Sequence, residues 1–337
     1  MTVRSNSPMS ETTTVDRPPA GIRFLHALGK EPDLASMSAE QLAAFAAKEN
    51  RKRASRSARL ITGRRDRGAV IDWQRVTLAD RGVPVRVYRP TPRSTDRRVR
   101  LPLVVHVHGG GFVGTATQND WINSHLAARL PAVVISVEYR LLAPGVPLAN
   151  AVDDGWDVLA SVVDDASTWG IDPGRVAVFG ESTGGVVSAM SAIRAREAGL
   201  GLRAQVLANP CVDVTEHALQ HPSVLAYADS PTLTRAQMEF FISLAVQNGA
   251  DARLVSPSRA DDLSGLAPAL IIVPTVDPIS DQGRGYAERL RAAGTPVHVR
   301  EYPGATHAFL AMPGVVPQAK PAREEISEFL RAKLTVQ

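Results

Sequence analysis

A serine sits between glycines in Gly180-Glu181-Ser182-Thr183-Gly184, a G-x-S-x-G pentapeptide. Such a pentapeptide arises by chance in roughly one chain of this length in ten, so its surroundings decide what it means. Val176-Ala177-Val178-Phe179 reads as a strand running into it, and Gly185 onward reads as a helix, with Val186–Glu197 stopping near Gly199. On such a strand–turn–helix the serine is lifted above the sheet edge, at the positive end of the following helix, where it can act as a nucleophile. The plainer reading is a surface turn with an incidental serine, and the elements on either side argue against it.

A serine hydroxyl attacks a carbonyl only when a base removes its proton and a third group orients that base. On this architecture the chain order is serine, acid, histidine. Asp277 follows the apolar run Leu270-Ile271-Ile272-Val273, and His307 lies in the loop Gly304–Phe309. Both therefore fall at the carboxyl ends of strands, the edge where Ser182 sits. Asp281 is a rival acid; the plainer readings are a helix N-cap for Asp277 and an ordinary loop residue for His307. The fourth element is His108-Gly109-Gly110-Gly111 after the strand Leu103–Val107. An attacked carbonyl oxygen becomes anionic and needs preorganised N–H donors, which residues without side chains let the backbone supply at close range. Gly110 and Gly111, with Thr183 beside the nucleophile, would form a hole with three donors.

Two other chemistries compete for the same residues. His106 and His108 form an H-x-H pair on one strand face, but no further cluster with ligand spacing supports a metal, and none is expected. Gly109-x-Gly111-x-x-Gly114 after a strand, with Glu138 near the end of the next, mimics a dinucleotide fingerprint. That fingerprint needs its helix to begin within the glycines, whereas Thr115-Ala116-Thr117-Gln118 reads as loop, with Asn119 or Asp120 as the cap. A dinucleotide-dependent oxidoreductase would also leave Ser182, Asp277 and His307 without a role.

These residues need a scaffold, and the periodicity supplies one. Val76–Leu78 and Val83–Tyr88 read as strands around an Asp80-Arg81-Gly82 turn. Further strands are expected at Leu103–Val107, Ala132–Val137, Val176–Phe179, Ala204–Ala208, Ala269–Val273 and Val297–Glu301, alternating with helices. The runs Leu103-Val104-Val105 and Val133-Val134-Ile135 are continuously apolar, as in strands buried on both faces. The expectation is an α/β fold: eight strands in a mostly parallel sheet flanked by helices. Two segments fall outside it. Leu34, Met37, Leu42, Phe45 and Ala46 recur at helical spacing between Asp33 and Ser57, and a second amphipathic helix spans Arg235–Val246 within the long stretch from Ala208 to Ala269. Together they could roof a pocket. Phe240, Phe241 and Leu244, with Leu34, Leu42 and Phe45, are candidates to line it. The division expected is a disordered tail over 1–20, the first part of a helical cap over 21–65, core over 66–210, cap insertion over 211–255 and core again over 256–337.

Composition agrees with a globular enzyme: 44% apolar and 21% charged residues among 337. No apolar run is long enough for a membrane span, and the first twenty residues lack the apolar centre of a secretory signal, which points to the cytoplasm. A single cysteine, Cys211, excludes an intrachain disulfide. Much of the +4 net charge is local, in Arg51, Lys52, Arg53, Arg56, Arg59, Arg64, Arg65 and Arg67. No aromatic residues interleave with them, so a solvated helix face is expected and not a nucleic-acid site.

From about residue 70 to the C-terminus the chain resembles the bacterial hormone-sensitive-lipase family (family IV) of carboxylesterases. The resemblance rests on His108-Gly109-Gly110-Gly111-Phe112, Glu138-Tyr139-Arg140-Leu141, Gly180-Glu181-Ser182-Thr183-Gly184-Gly185, Asp277-Pro278-Ile279-Ser280-Asp281 and Gly304–Phe309. It implies an α/β-hydrolase core with a helical cap, no cofactor, and hydrolysis of short-acyl esters as small-molecule substrates. It also implies a possible homodimer through the last strand. Carried over by motif, Ser182 is the nucleophile, His307 the base, Asp277 the orienting acid, and Gly110, Gly111 and Thr183 the oxyanion hole. Some relatives are non-catalytic hormone receptors; those lack the histidine that is present here as His307. Three features depart from the family pattern. Glu181 and Thr183 replace Asp and Ala. Tyr139-Arg140-Leu141-Leu142-Ala143-Pro144-Gly145 is one Leu longer than usual and lacks a Glu. Pro274 is expected to end or bulge the strand before Asp277.

Overall fold

A computed structural model describes residues 16–28, 32–91 and 100–335. Eight strands form one sheet: β1 (Ala69–Thr77), β2 (Gly82–Pro90), β3 (Leu101–Val107), β4 (Val133–Val137), β5 (Ile171–Glu181), β6 (Leu202–Ala208), β7 (Ala269–Val276) and β8 (Val297–Thr306). Their spatial order is β1-β2-β4-β3-β5-β6-β7-β8. β1 and β2 pair antiparallel, β2 meets β4 antiparallel, and every later pairing is parallel. This is the expected doubly wound architecture.

Alternation along the buried strands sends neighbouring side chains to opposite faces. Val105, Val107, Ile135 and Val178 pack with Val152, Leu159 and Val187 from helices α4 (Leu148–Asp164) and α5 (Thr183–Glu197). Val104, Val134, Ala177 and Phe179 pack with Ile122, Leu126, Ile326 and Leu330 from α3 (Asp120–Arg129) and α8 (Ala319–Leu334). Helix α7 (Ser280–Ala292) covers Ile271 and Val273 with Tyr286 and Leu290. Burying each such side chain is worth about 1.5–3 kcal/mol, so the central strands are the most firmly held part of the molecule.

Several boundaries differ from expectation for identifiable reasons. The first strand spans nine residues, not three, because only Val76 of β1 is buried and the apolar residues before it, Val70 and Trp73 among them, lie largely exposed without a clear alternation. The helix expected from Asp33 is broken. A short turn covers Leu34–Ser36, and α2 (Ala39–Ala54) starts at a capping box in which the Ser38 hydroxyl accepts from the Gln41 N–H and the Gln41 side chain accepts from the Ser38 N–H. Most of the expected tail lies outside the described residues, but its end does not: Ala20 already opens helix α1 (Ala20–Leu28), whose Ile22 is buried. Ala116–Gln118, expected as loop, form with Asn119 a tight turn of helix leading into α3, and Asn119 takes the expected N-cap position.

Pro274 does not end its strand. β7 continues through it to Val276, beyond the last pair with β6, Ala208 with Ile272. The missing N–H at Pro274 therefore takes nothing from that ladder. The irregularity falls instead on β8, which fits Tyr302 against Pro274 and Thr306 against Val276. Among the described residues no helix is long and apolar enough to cross a membrane.

Candidate active site

The residues from β5 into α5 form a sharp elbow. Ser182 has φ 53° and ψ −116°, a backbone conformation disfavoured for a side-chain-bearing residue. It is held there from both sides: its N–H donates to Ala208 O at 3.0 Å, and its carbonyl accepts from Gly185 N at 2.8 Å and Cys211 N at 3.1 Å. The flanking glycines are a packing requirement. A Cβ on Gly184 would stand 2.0 Å from the Val107 carbonyl oxygen, and one on Gly180 would stand 2.0 Å from that of Gly184.

The expected partners meet at this elbow. Ser182 Oγ lies 2.7 Å from His307 Nε2, and His307 Nδ1 lies 2.8 Å from Asp277 Oδ2. Asp277 is fully buried, and its other oxygen accepts the Ile279 N–H at 3.0 Å. A carboxylate at Nδ1 keeps that nitrogen as the donor, leaving Nε2 to accept the serine proton. The extra residues of β8 make this possible: the bulge around Gly304, pinned by its N–H donating to Thr275 Oγ1 at 2.9 Å, swings His307 over the end of β7. Asp281 does not compete. It lies within the first turn of α7, where its carboxylate accepts the Ser223 N–H at 2.9 Å and pairs with Arg284 at 2.9 Å. The N-cap position of α7 is Ile279, so the cap reading of Asp277 does not hold either.

The glycine loop runs alongside the serine. Gly110 has φ +131°, and a Cβ there would fall 1.7 Å from Val113 O, so no other residue fits. The loop carbonyls are all engaged. Gly109 O accepts from Gln118 Nε2 at 3.0 Å, Gly110 O from Val113 N at 2.9 Å, and Gly111 O from Leu142 N at 3.0 Å. That fixes the peptide planes. Among the described residues no hydrogen bond takes the N–H of Gly110 or Thr183, while the N–H of Gly111 faces the Tyr139 phenol. Thr183 is the first residue of α5, and both it and Phe241 crowd Gly111.

The dinucleotide alternative finds no support in this loop. Helix α3 starts at Asp120, well past Gly114, and Glu138 is spent within the loop, accepting from Ala116 N at 2.7 Å and Thr115 Oγ1 at 3.2 Å. His106 and His108 have separate neighbours: the first meets Ser136 Oγ at 2.8 Å, while the second stacks on Tyr139 at 4.5 Å. Among the described residues no group of three or more His, Cys, Asp or Glu is disposed to hold a metal.

Above Ser182 opens a cavity of about 680 Å³, in the range of small-molecule sites. Its floor includes Ser182, His307 and Gly110; its walls include Arg53 from α2 and Met238 and Phe241 from helix α6 (Arg235–Ala245). Phe241 lines it directly, whereas Phe240 meets Phe112 edge-on at 5.2 Å and Leu244 is buried in the core. Leu34 and Leu42 are likewise buried, and Phe45 packs against the same cluster.

Some residues here are not legible in the sequence. Asn50 accepts the Gly114 N–H at 2.8 Å, and Arg53 donates to Gln118 at 3.0 Å, so α2 is tied to the glycine loop twice. Arg53, expected on a solvated face, is half-buried in the cavity wall. Glu181 is buried beside the nucleophile and accepts from Asn119 Nδ2 at 2.6 Å. Burial pushes its carboxyl up to about 8, against the opposing pull of His307. Unfolded, this group ionises near the ordinary value of 4.5. Between those two values the folded state holds the extra proton, so the contribution of Glu181 to stability declines as pH rises through that window. Glu181→Gln mimics the neutral acid. Its melting temperature should gain on that of the parent steadily from pH 5 to pH 8; parallel melting curves would show that Glu181 is ionised in the fold.

A family model described as alpha/beta hydrolase fold matches residues 104–311. The chain is 39% identical over 249 residues to a carboxylesterase of Mycobacterium tuberculosis, NlhH, covering 71% of this chain and 75% of that one. It is 33% identical over 298 residues to an ethyl acetate hydrolase of Pseudomonas putida, covering 86% and 92%. A hyperthermophilic esterase from the archaeon Pyrobaculum calidifontis superposes with a TM-score of 0.78 at 29% identity, covering 94% of this chain and 98% of that structure. The chain belongs to the alpha/beta hydrolase fold family, in its hormone-sensitive-lipase-like branch.

Proposed function

We propose that the protein is a serine carboxylesterase that cleaves short-acyl esters through an acyl-Ser182 intermediate. That it hydrolyses esters follows from its kinship with carboxylesterases and esterases. The observation that carries the catalytic assignment is the unbroken chain Ser182 Oγ–His307–Asp277, at 2.7 and 2.8 Å, on the floor of the cavity.

In the first step His307 Nε2 takes the Ser182 proton as Oγ adds to the ester carbonyl, and Asp277 holds the imidazole and stabilises its charged form. The oxyanion is received by the N–H groups of Gly110, Gly111 and Thr183, with that of Gly111 shared with the Tyr139 phenol. His307 then protonates the departing alcohol. Water repeats the sequence on the acyl enzyme. The chemistry needs no cofactor. A cap formed from residues 21–65 and 211–255 closes the site, consistent with wall residues drawn from α2 and α6. Phe241 and Thr183, pressed against Gly111, favour a small acyl group. A cytoplasmic location and a homodimer joined through the outer edge of β8 belong to the same proposal; β8 ends the sheet, so that edge is open to a second copy.

The test is hydrolysis of p-nitrophenyl esters of graded chain length, with labelling by an organophosphate. Turnover should peak at short acyl chains, Ser182→Ala should abolish it, and peptide mapping should find the label on Ser182 alone. Full activity in the variant, or a label elsewhere, would overturn the nucleophile assignment.

A further inference from the structure

Arg53 occupies an unusual place for a cation. It projects from α2 into the wall of the reaction cavity, where its guanidinium makes one side-chain hydrogen bond, to the neutral amide of Gln118 at 3.0 Å. Among the described residues no carboxylate lies within ion-pair distance of it. Glu49, one turn back on the same helix, is 3.8 Å from Lys52 instead, and Asp213, also on the cavity wall, is held by Arg259 at 2.6 Å. A guanidinium carries five donors in a planar fork, so most of this fork is unspent. Holding such a charge in a half-buried position without a counter-ion is unfavourable, and burial lowers the pKa of Arg53, with Glu49 opposing.

The position is also tied to the reacting atoms. Gln118 passes the contact on to Gly109 O at 3.0 Å, and Gly109 abuts the elbow so closely that a Cβ there would sit 3.2 Å from Ser182 Cβ. The cavity offers further unspent polar groups: the Asn209 side-chain amide, Gln282 Nε2 and Thr232 Oγ1 are buried there without hydrogen-bond partners. A wholly hydrocarbon substrate would leave all of these unpaired.

We propose that Arg53 is a specificity residue and that the preferred substrate is an ester bearing a free carboxylate away from the scissile bond, received by the Arg53 fork. The proposal rests on the esterase reading above and narrows its substrate class. The carboxylate could belong to the acyl half or to the alcohol half, and two matched pairs of esters separate these. The first pair is the 4-nitrophenyl monoester of adipate against 4-nitrophenyl hexanoate. The second is 4-acetoxybenzoate against its methyl ester.

The measured quantity is the ratio of kcat/KM, anionic over neutral, within each pair. Arg53→Gln should lower that ratio about tenfold to a hundredfold in at least one pair. Arg53→Lys, which keeps the charge and loses the fork, should fall between. If Arg53→Gln slows both members of both pairs by the same factor, Arg53 only positions Gln118 and the glycine loop, and the proposal fails. It fails equally if neither ratio moves. In both cases hydrolysis of the neutral esters and its loss in Ser182→Ala would still stand, so the esterase reading is judged separately.

Discussion

Asp277→Asn should yield a folded protein whose kcat has dropped by about four orders of magnitude. Asp277 offers two acceptor oxygens, one to the Ile279 N–H and one to His307 Nδ1. An asparagine has a single acceptor. The backbone N–H of Ile279 cannot move, so it claims the amide oxygen and turns the NH2 group toward the imidazole. Nδ1 must then become an acceptor, which places the ring proton on Nε2, where it blocks removal of the serine proton. The companion variant Asp281→Asn keeps an oxygen for the Ser223 N–H and loses charge against Arg284. It should cost about 1 kcal/mol of stability and leave kcat within a few-fold of the parent. Turnover and melting temperature for both variants decide the matter, and exchanged phenotypes would move the acid to Asp281.

Removing residues 1–60 is expected to lower kcat/KM at least about a hundredfold while the sheet persists. All eight strands begin later in the chain. The loss comes from the glycine loop, which would lose Asn50 from Gly114 and, through Gln118, the support of Arg53 behind Gly109. Exposure of the core surface now covered by Leu34 and Leu42 should also lower solubility. Circular dichroism reports the sheet and ester hydrolysis the site. A soluble truncated chain with unchanged kcat/KM would show that the segment is no cap.

The parts of this molecule legible in its sequence are those where local chemistry and tertiary role coincide. Leu103–Val107 and Val133–Val137 read as buried strands because both of their faces are covered. Ser182, Asp277 and His307 were recognisable because each follows a strand at the same sheet edge, a relation that topology alone enforces. β1 is legible only at its end, since Val70 and Trp73 are exposed, Ala69 and Ile71 only partly buried, and no clear apolar period runs through them. The break before α2 is written in the sequence as Ser38-x-x-Gln41, a signature weaker than the hydrophobic period that ran across it. The Glu138 carboxylate, the Asn50 amide and the Arg53 guanidinium belong to another category. Their roles depend on which loop packs against which helix, and no local pattern encodes that.

The hydrogen-bonded chain at the site joins residues separated by 125 and 30 positions, and its histidine hangs from the outermost strand. The serine is therefore made well before the residue proposed to activate it. With the proposed base carried at the end of β8, a chain cut before that strand is expected to keep Ser182 and lose its partner, and it should hydrolyse no ester.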